Sequence, residues 1–298
     1  MMNIEHSIRL IALIGLGALL LGAGIVAAQT AQPQAQKPSA PQAQPAAPVR
    51  PALEPKAVDL LKAVSTRLAG AHTLSFTAVE TYESLSRQGV PVIFANEYHV
   101  TLQRPNKLRV ILTGDGPASE FYYDGKVMMA YTPAENLIAI ADAPKTIDKM
   151  LETIYHTAAM YFPFDDLIVS DPYGDLAPGL QHAYYIGQSK IVGGVTTDIL
   201  AYAGDGVFVQ MWLGAEDKLP LVMHAIFLDD PDRLRHNLLL SDWQIDPQVT
   251  DDFFTTPKAS SAKHMEFARP RPEPPPGFKP TVGPPVKPTP ATSVSQSN

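Results

Sequence analysis

Cysteine is the most conspicuous absence from this chain: none of its 298 residues is a cysteine. The chain therefore has no disulfides and no cysteine-based zinc site, so an apolar core must hold it together. Basic residues are also outnumbered, with 23 Lys and Arg against 30 Asp and Glu and a net charge of −7. This balance argues against nucleic acid as a partner, because nucleic-acid binding needs clustered positive charge.

The local signatures of catalysis are missing as well. The eight histidines are never three or four residues apart, so no helical pair of metal ligands is formed. No G-x-S-x-G, P-loop or dinucleotide-binding motif occurs. Neighbouring carboxylates, as at Asp165-Asp166, project in different directions and do not converge on one substrate atom. We expect no enzyme, no metal and no cofactor; a hydrolase with an unrecognised site stays an alternative.

One long apolar run is present, and it lies at the N-terminus. Residues 10–28 carry no charge, Arg9 precedes them, and Val26 and Ala28 are small residues just before a possible cut at Gln29. Residues 1–28 are therefore predicted to be a signal peptide, which places the rest of the chain in the periplasm or cell envelope. The run is also long enough to be a retained membrane anchor.

Two segments of low complexity flank one predicted domain. Residues 29–55, rich in Pro, Ala and Gln, are predicted to be a disordered linker, and residues 268–298 a disordered proline-rich tail. Residues 56–267 have the length of a single domain. The tail is either an extended spacer or a proline-rich ligand for the groove of an envelope protein partner.

The pattern of apolar residues predicts an α+β fold. A helix is expected to begin at Pro55 and to end just before Gly70, and another to follow Thr146, with a short helix at 163–169 that stops at Asp171-Pro172. Two-residue alternation predicts short-linked antiparallel strands between 74 and 141 and between 183 and 243. The strands at 207–213 and 219–228 are apolar on both faces, so we expect both faces to be covered, as a curved sheet wrapped around helices requires.

Seven aromatic and methionine side chains are candidates for lining an apolar ligand cavity. They are Phe76, Phe94, Tyr98, Tyr123, Met129, Met211 and Trp212. Methionine adapts to flexible apolar chains, which suits a lipid or acyl ligand. The alternative is that these side chains fill an ordinary core.

Six motifs occur in a fixed order along the domain. They are R-P-N-K-L-R-V (104–110), F-Y-Y-D-G-K (121–126), D-D-L-I-V-S-D-P-Y (165–173), Y-I-G-Q-S-K-I-V-G-G-V-T-T-D-I-L-A-Y (185–202), V-F-V-Q-M-W-L (207–213) and L-S-D-W (240–243). Together they resemble the DUF2092 family of predicted periplasmic proteins. The resemblance implies a LolA-like fold: an unclosed, mainly antiparallel half-barrel with helices on its concave side, over a cavity for acyl chains. It supplies no catalytic residues.

Two functions are expected from these observations. The first is an exported envelope protein that binds a lipid, a lipoprotein acyl chain or another apolar ligand in a half-barrel cavity, as a carrier or sensor without a covalent step. The second is a protein-interaction module of the envelope with a filled core, which binds a partner through its proline-rich tail or a sheet edge.

Overall fold

The computed structural model describes residues 52–269, so the predicted signal peptide or anchor (1–28), nearly all of the linker (29–55) and most of the tail (268–298) lie outside the described residues. The helices are α1 (Pro55–Ala69), α2 (Ile147–Ala158), α3 (Asp165–Ile168) and α4 (Pro172–Leu176). The strands are β1 (Thr73–Leu85), β2 (Pro91–Gln103), β3 (Lys107–Gly114), β4 (Ser119–Tyr123), β5 (Val127–Thr132), β6 (Leu137–Asp142), β7 (Leu180–Ser189), β8 (Thr197–Gly204), β9 (Val207–Gly214), β10 (Pro220–Phe227), β11 (Arg235–Ile245) and β12 (Lys263–Met265).

Helix α1 begins and ends, and helix α2 begins, where the sequence predicts. Pro55 occupies the first turn of α1, and Gly70 follows its last residue. The side chain of Thr146 accepts a hydrogen bond from the Lys149 amide at 3.3 Å and caps α2. Each helix buries one apolar stripe against the sheet. Within residues 52–269, none of the helices is both long enough and apolar enough to cross a bilayer.

All twelve strands of the described region join one sheet, in the order β12-β6-β5-β4-β3-β2-β1-β11-β10-β9-β8-β7. Two antiparallel meanders, β1 to β6 and β7 to β11, meet where β1 pairs with β11. Only the short β12 pairs in parallel, with β6. Strands β12 and β7 occupy opposite edges, so the sheet is curved but not closed. This confirms the predicted α+β class with an unclosed, mainly antiparallel sheet.

The helices pack on the concave face, where most of the core lies. One cluster of buried side chains combines α1, α2 and α3 with strands from both meanders. On β1, Leu74, Phe76 and Ala78 belong to this cluster, because alternate residues of a strand point to the same face. The segment between α2 and α3 adds Phe162 and Phe164, which are 6% and 1% exposed.

On the convex face, the buried side chains do not lie on β9 and β10, where the sequence predicts them. A second buried cluster lies on β4, β5 and β6, where Tyr122, Met129 and Ile138 pack near Ala262 from the C-terminal segment. On β9 and β10, in contrast, Trp212 and Val222 are only half-buried. Side chains on the neighbouring strands partly cover these two residues. Strands that are apolar on both faces therefore do not require a second layer of secondary structure here.

Two elements differ from the expected boundaries. Strand β1 continues to Leu85, well past the alternation recognised at residues 74–78. Helix α3 ends at Ile168, before Asp171-Pro172 as predicted, but the Asp171 side chain then accepts a hydrogen bond from the Gly174 amide at 2.9 Å and starts α4, a helix that was not predicted from the sequence. Proline is well tolerated in a first helical turn, which is why the same dipeptide can begin a helix.

Candidate functional site

The concave face has a filled half and an open half. The filled half holds the inner aromatic cluster, which we define as Trp243, Phe76, Phe164, Tyr98, Phe162 and Phe121. Its rings touch in sequence, with centroid distances of 4.4 Å for Phe76 and Trp243 and 5.4 Å for both Phe76–Phe164 and Tyr98–Phe164. Phe164 stacks on Phe162 at 5.6 Å, and Phe162 meets Phe121 at 5.5 Å. These rings occupy the space between the sheet and the helices.

The open half carries a second set of rings, the aromatic row, which we define as Phe94, Tyr82, His236 and Phe227. They lie on β2, β1, β11 and β10, four neighbouring strands of the sheet. The centroid of Tyr82 is 5.6 Å from Phe94 and 6.1 Å from His236, and His236 is 5.3 Å from Phe227. Phe94 is 39% exposed and the other three are half-buried. The row is therefore a continuous aromatic surface open to solvent.

A buried carboxylate separates the two halves. Glu80 is 4% exposed and lies on β1 between Ala78 and Tyr82, on the same face. It accepts hydrogen bonds from the Tyr98 hydroxyl at 3.0 Å and from the Asn96 side-chain amide at 3.1 Å. Burial, followed by the charge of Glu80, raises the pKa of Tyr98 and keeps this phenol protonated.

Further titratable groups stand beside the row. Burial lowers the pKa of His236, which favours the neutral imidazole and keeps the row apolar. Burial, then the charges of Glu80 and Asp165, raises the pKa of Tyr161 to about 12. The ring of Tyr161 is only partly buried, since the residue is 54% exposed, and it lies near Glu80 and Tyr82 at the rim of the row. Desolvation, followed by the charge of Asp166, raises the pKa of Asp165.

The structure separates the seven side chains predicted to line a cavity. Phe76, Tyr98, Tyr123 and Met211 are buried in the concave core, and the Tyr123 hydroxyl donates to the Pro144 carbonyl at 2.8 Å. Phe94 belongs to the open half. The two others lie on the convex face: Met129 in the second buried cluster, and Trp212 paired across strands with Val222 and Ile199.

Sequence reasoning missed three members of the row and the rim residue. Tyr82 continues the alternation of Leu74, Phe76 and Ala78, so the strand needed only to be extended through Glu80. The turn between β1 and β2 also gives the register, because counting outward from Gln88 pairs Tyr82 with Phe94, as observed. No comparable signal brings His236 and Phe227 to these two residues, because β11 reaches β1 only through tertiary pairing.

Two small cavities lie outside the concave groove. One, of about 180 Å³, opens on the convex side and is lined by Glu83, His224 and Arg235, among others. The other, of about 190 Å³, lies at the start of α2 beside Arg104. Both are smaller than the roughly 300–1,000 Å³ of typical ligand pockets. Within residues 52–269 no three His, Asp or Glu side chains are grouped so that they could bind a metal.

Comparison with known proteins identifies the family. The model of the DUF2092 family, described as a predicted periplasmic protein, matches residues 57–268. The chain belongs to this family, which confirms the resemblance found in its motifs. A search of curated proteins gave no match.

Solved structures with similar folds are distant in sequence. The complex of Pseudomonas aeruginosa MucA and MucB is 16% identical, with a TM-score of 0.39 over 67% of this chain and 61% of that chain. A DUF1329 family protein from Desulfovibrio piger is 12% identical, with a TM-score of 0.34 over 70% and 98%. A LolA superfamily protein from Nitrosomonas europaea is 10% identical, with a TM-score of 0.29 over 66% and 97%. This chain spans less than two thirds of the MucB chains, and these similarities transfer neither partner nor ligand to it.

Proposed function

We propose that this protein is exported to the periplasm or cell envelope and binds an apolar ligand, without catalysis, on the open half of its concave face. The ligand class is a lipid or a lipoprotein acyl chain. The aromatic row is the observation that carries the proposal. Four rings in contact across four strands form an apolar surface that solvent reaches, on the concave side of the sheet.

The groups around the row support binding rather than chemistry. Glu80 has two structural hydrogen bonds that hold Tyr98 and Asn96 in place. Neutral His236 adds a polarisable ring without a charge that an acyl chain would have to desolvate. The filled half of the face limits the ligand to the open half, so a bound chain lies along the row instead of entering a deep cavity.

Titration with a dansyl-labelled undecanoic acid tests this function. The delipidated full chain is expected to bind the probe at micromolar concentration, and Phe94→Ala is expected to weaken binding about tenfold, the equivalent of about 1.4 kcal/mol. Leu239→Ala is the matched control, because Leu239 is 50% exposed on the convex face of β11. The absence of probe binding to the unmodified chain, or equal losses in both variants, would contradict the proposal.

A second candidate function, a protein-interaction module, is favoured by the filled half of the concave face. Phe162 and Phe164 occupy the space in which a carrier would hold its cargo. In this function a partner protein binds the proline-rich tail or a sheet edge. Deletion of residues 269–298 would then abolish capture of an envelope partner and leave the melting temperature nearly unchanged.

A further inference from the structure

We propose that the aromatic row is a docking site for the chain's own proline-rich segment, residues 270–298. In this arrangement the tail covers the open half of the concave face, and an external ligand has to displace it. Three independent features carry this inference: the place where the described chain ends, the match between proline and aromatic surfaces, and the opposite charges of tail and groove.

The described chain ends beside α2, the helix that precedes Tyr161. Phe267 packs against the concave core, and the Arg269 guanidinium donates from Nε to the His156 carbonyl at 3.1 Å, near the last turn of α2. Tyr161, at the rim of the row, follows His156 by only five residues, which span at most about 18 Å. The 29 residues that follow Arg269 are thus long enough to reach the row.

The tail has the chemistry that an aromatic groove recognises. Ten of residues 270–298 are proline, including a run at 274–276. Proline fixes φ and favours the polyproline II conformation, whose ridges pack between aromatic rings at little entropic cost. The row crosses four strands, a width of about 14 Å, and a polyproline II segment of about five residues has that length. Residues 272–276, P-E-P-P-P, provide such a segment.

The charges of tail and groove are complementary. Residues 270–298 contain Arg271, Lys279 and Lys287 against one acidic residue, Glu273, in a chain whose net charge is −7. The carboxylates of Glu80 and Asp230 lie near His236 of the row and act to raise its pKa against the effect of burial. Basic residues flanking a proline segment are attracted by this negative charge while the prolines cover the rings.

Spin-label distance measurement on the full chain tests the docking. The chain has no cysteine, so two substitutions provide the only sites for spin labels: Gln88→Cys in the β1–β2 turn and Thr281→Cys in the tail. A docked tail gives one narrow distance distribution between the two labels. Reversing the tail charges with Arg271→Glu and Lys279→Glu is expected to broaden it, and this change cannot unfold the domain because both residues lie outside it. A broad distribution in the unmodified tail overturns the inference.

Matched variants distinguish docking on the row from contact elsewhere. Phe94→Ala is expected to broaden the distribution, whereas Leu239→Ala on the convex face and the charge-conserving pair Arg271→Lys and Lys279→Arg are expected to keep it narrow. A distribution that stays narrow in Phe94→Ala and in the charge-reversed tail would place the tail on another surface and overturn the inference.

The consequence for ligand binding rests on the proposed function, whereas docking of the tail does not. If the tail occupies the row nine-tenths of the time, deletion of residues 270–298 tightens binding of the dansyl probe about tenfold. A narrow label distance without any probe binding supports docking and contradicts the lipid ligand. Probe binding that the deletion leaves unchanged, together with a broad label distance, supports the ligand and overturns docking.

Discussion

At the scale of single residues, position along one strand decides whether a side chain is structural or available for binding. Phe76, Glu80 and Tyr82 all point to the concave face of β1. Phe76 is 2% exposed beneath the helices, Glu80 is bound by Tyr98 and Asn96, and Tyr82 is half-buried in the open row. A few residues of strand therefore separate the core from the candidate ligand surface.

Asp165 provides a pH-dependent prediction. Its raised pKa means that the native state holds the proton more tightly than the unfolded chain, so its contribution to the free energy of unfolding falls as the pH rises above the ordinary Asp value of about 4. Asp165→Asn removes the free-energy cost of ionising this carboxyl group in the folded protein. We expect its melting temperature to exceed that of the unmodified protein at neutral pH, and the difference to disappear near about pH 4.

Glu216→Gln is the control for this measurement, because Glu216 is exposed in the β9–β10 turn. It should leave the melting temperature unchanged across the same range. Stabilisation by Asp165→Asn that is equal at both pH values would show that the carboxylate carries no desolvation penalty.

At the scale of elements, the segment between α2 and α3 determines how much of the concave face stays open. Phe162 and Phe164 point into the inner aromatic cluster, and Tyr161, one residue earlier, points to the rim. The segment thus fills one half of the face and borders the other. Its two buried rings set the boundary of the candidate ligand surface.

Substitutions in this segment should differ sharply in cost. Phe164 is 1% exposed and contacts Phe76, Tyr98 and Phe162, so Phe164→Ala is expected to lower the free energy of unfolding by about 3–5 kcal/mol. Tyr161→Ala, at a position 54% exposed, should cost less than about 1 kcal/mol. Urea unfolding curves measure both changes in the free energy of unfolding, provided that its dependence on urea concentration (the m-value) is the same in each variant. Similar losses in the two variants would contradict the division into filled and open halves.

The fold was more predictable than the site, for a physical reason. Local patterns determine α1, α2 and the paired strands, because propensity and periodicity act over a few residues. The contact between Tyr82 and Phe94 could have been predicted, since the β1–β2 turn sets the register of the two strands. The positions of His236 and Phe227 could not, because β11 and β1 are far apart in the sequence and local patterns carry no information about their pairing.

At the scale of the whole molecule, the sheet curves around a concave face that stays open because the two edge strands do not pair. The β1–β11 pairing joins the two meanders, and it is here that the row crosses from one to the other. A ligand on the row therefore touches both meanders, which a surface confined to one hairpin could not achieve. The candidate ligand surface is therefore built from both halves of the sheet.

The most direct test of this account is native mass spectrometry of the chain, exported and purified from an envelope fraction without detergent. We predict a discrete adduct that dissociates as a lipid, present in the unmodified chain and in Leu239→Ala and reduced in Phe94→Ala. The same spectrum measures whether residues 1–28 have been removed. A bare mass for the unmodified chain, or an adduct that persists unchanged in Phe94→Ala, would contradict the aromatic row as the ligand site.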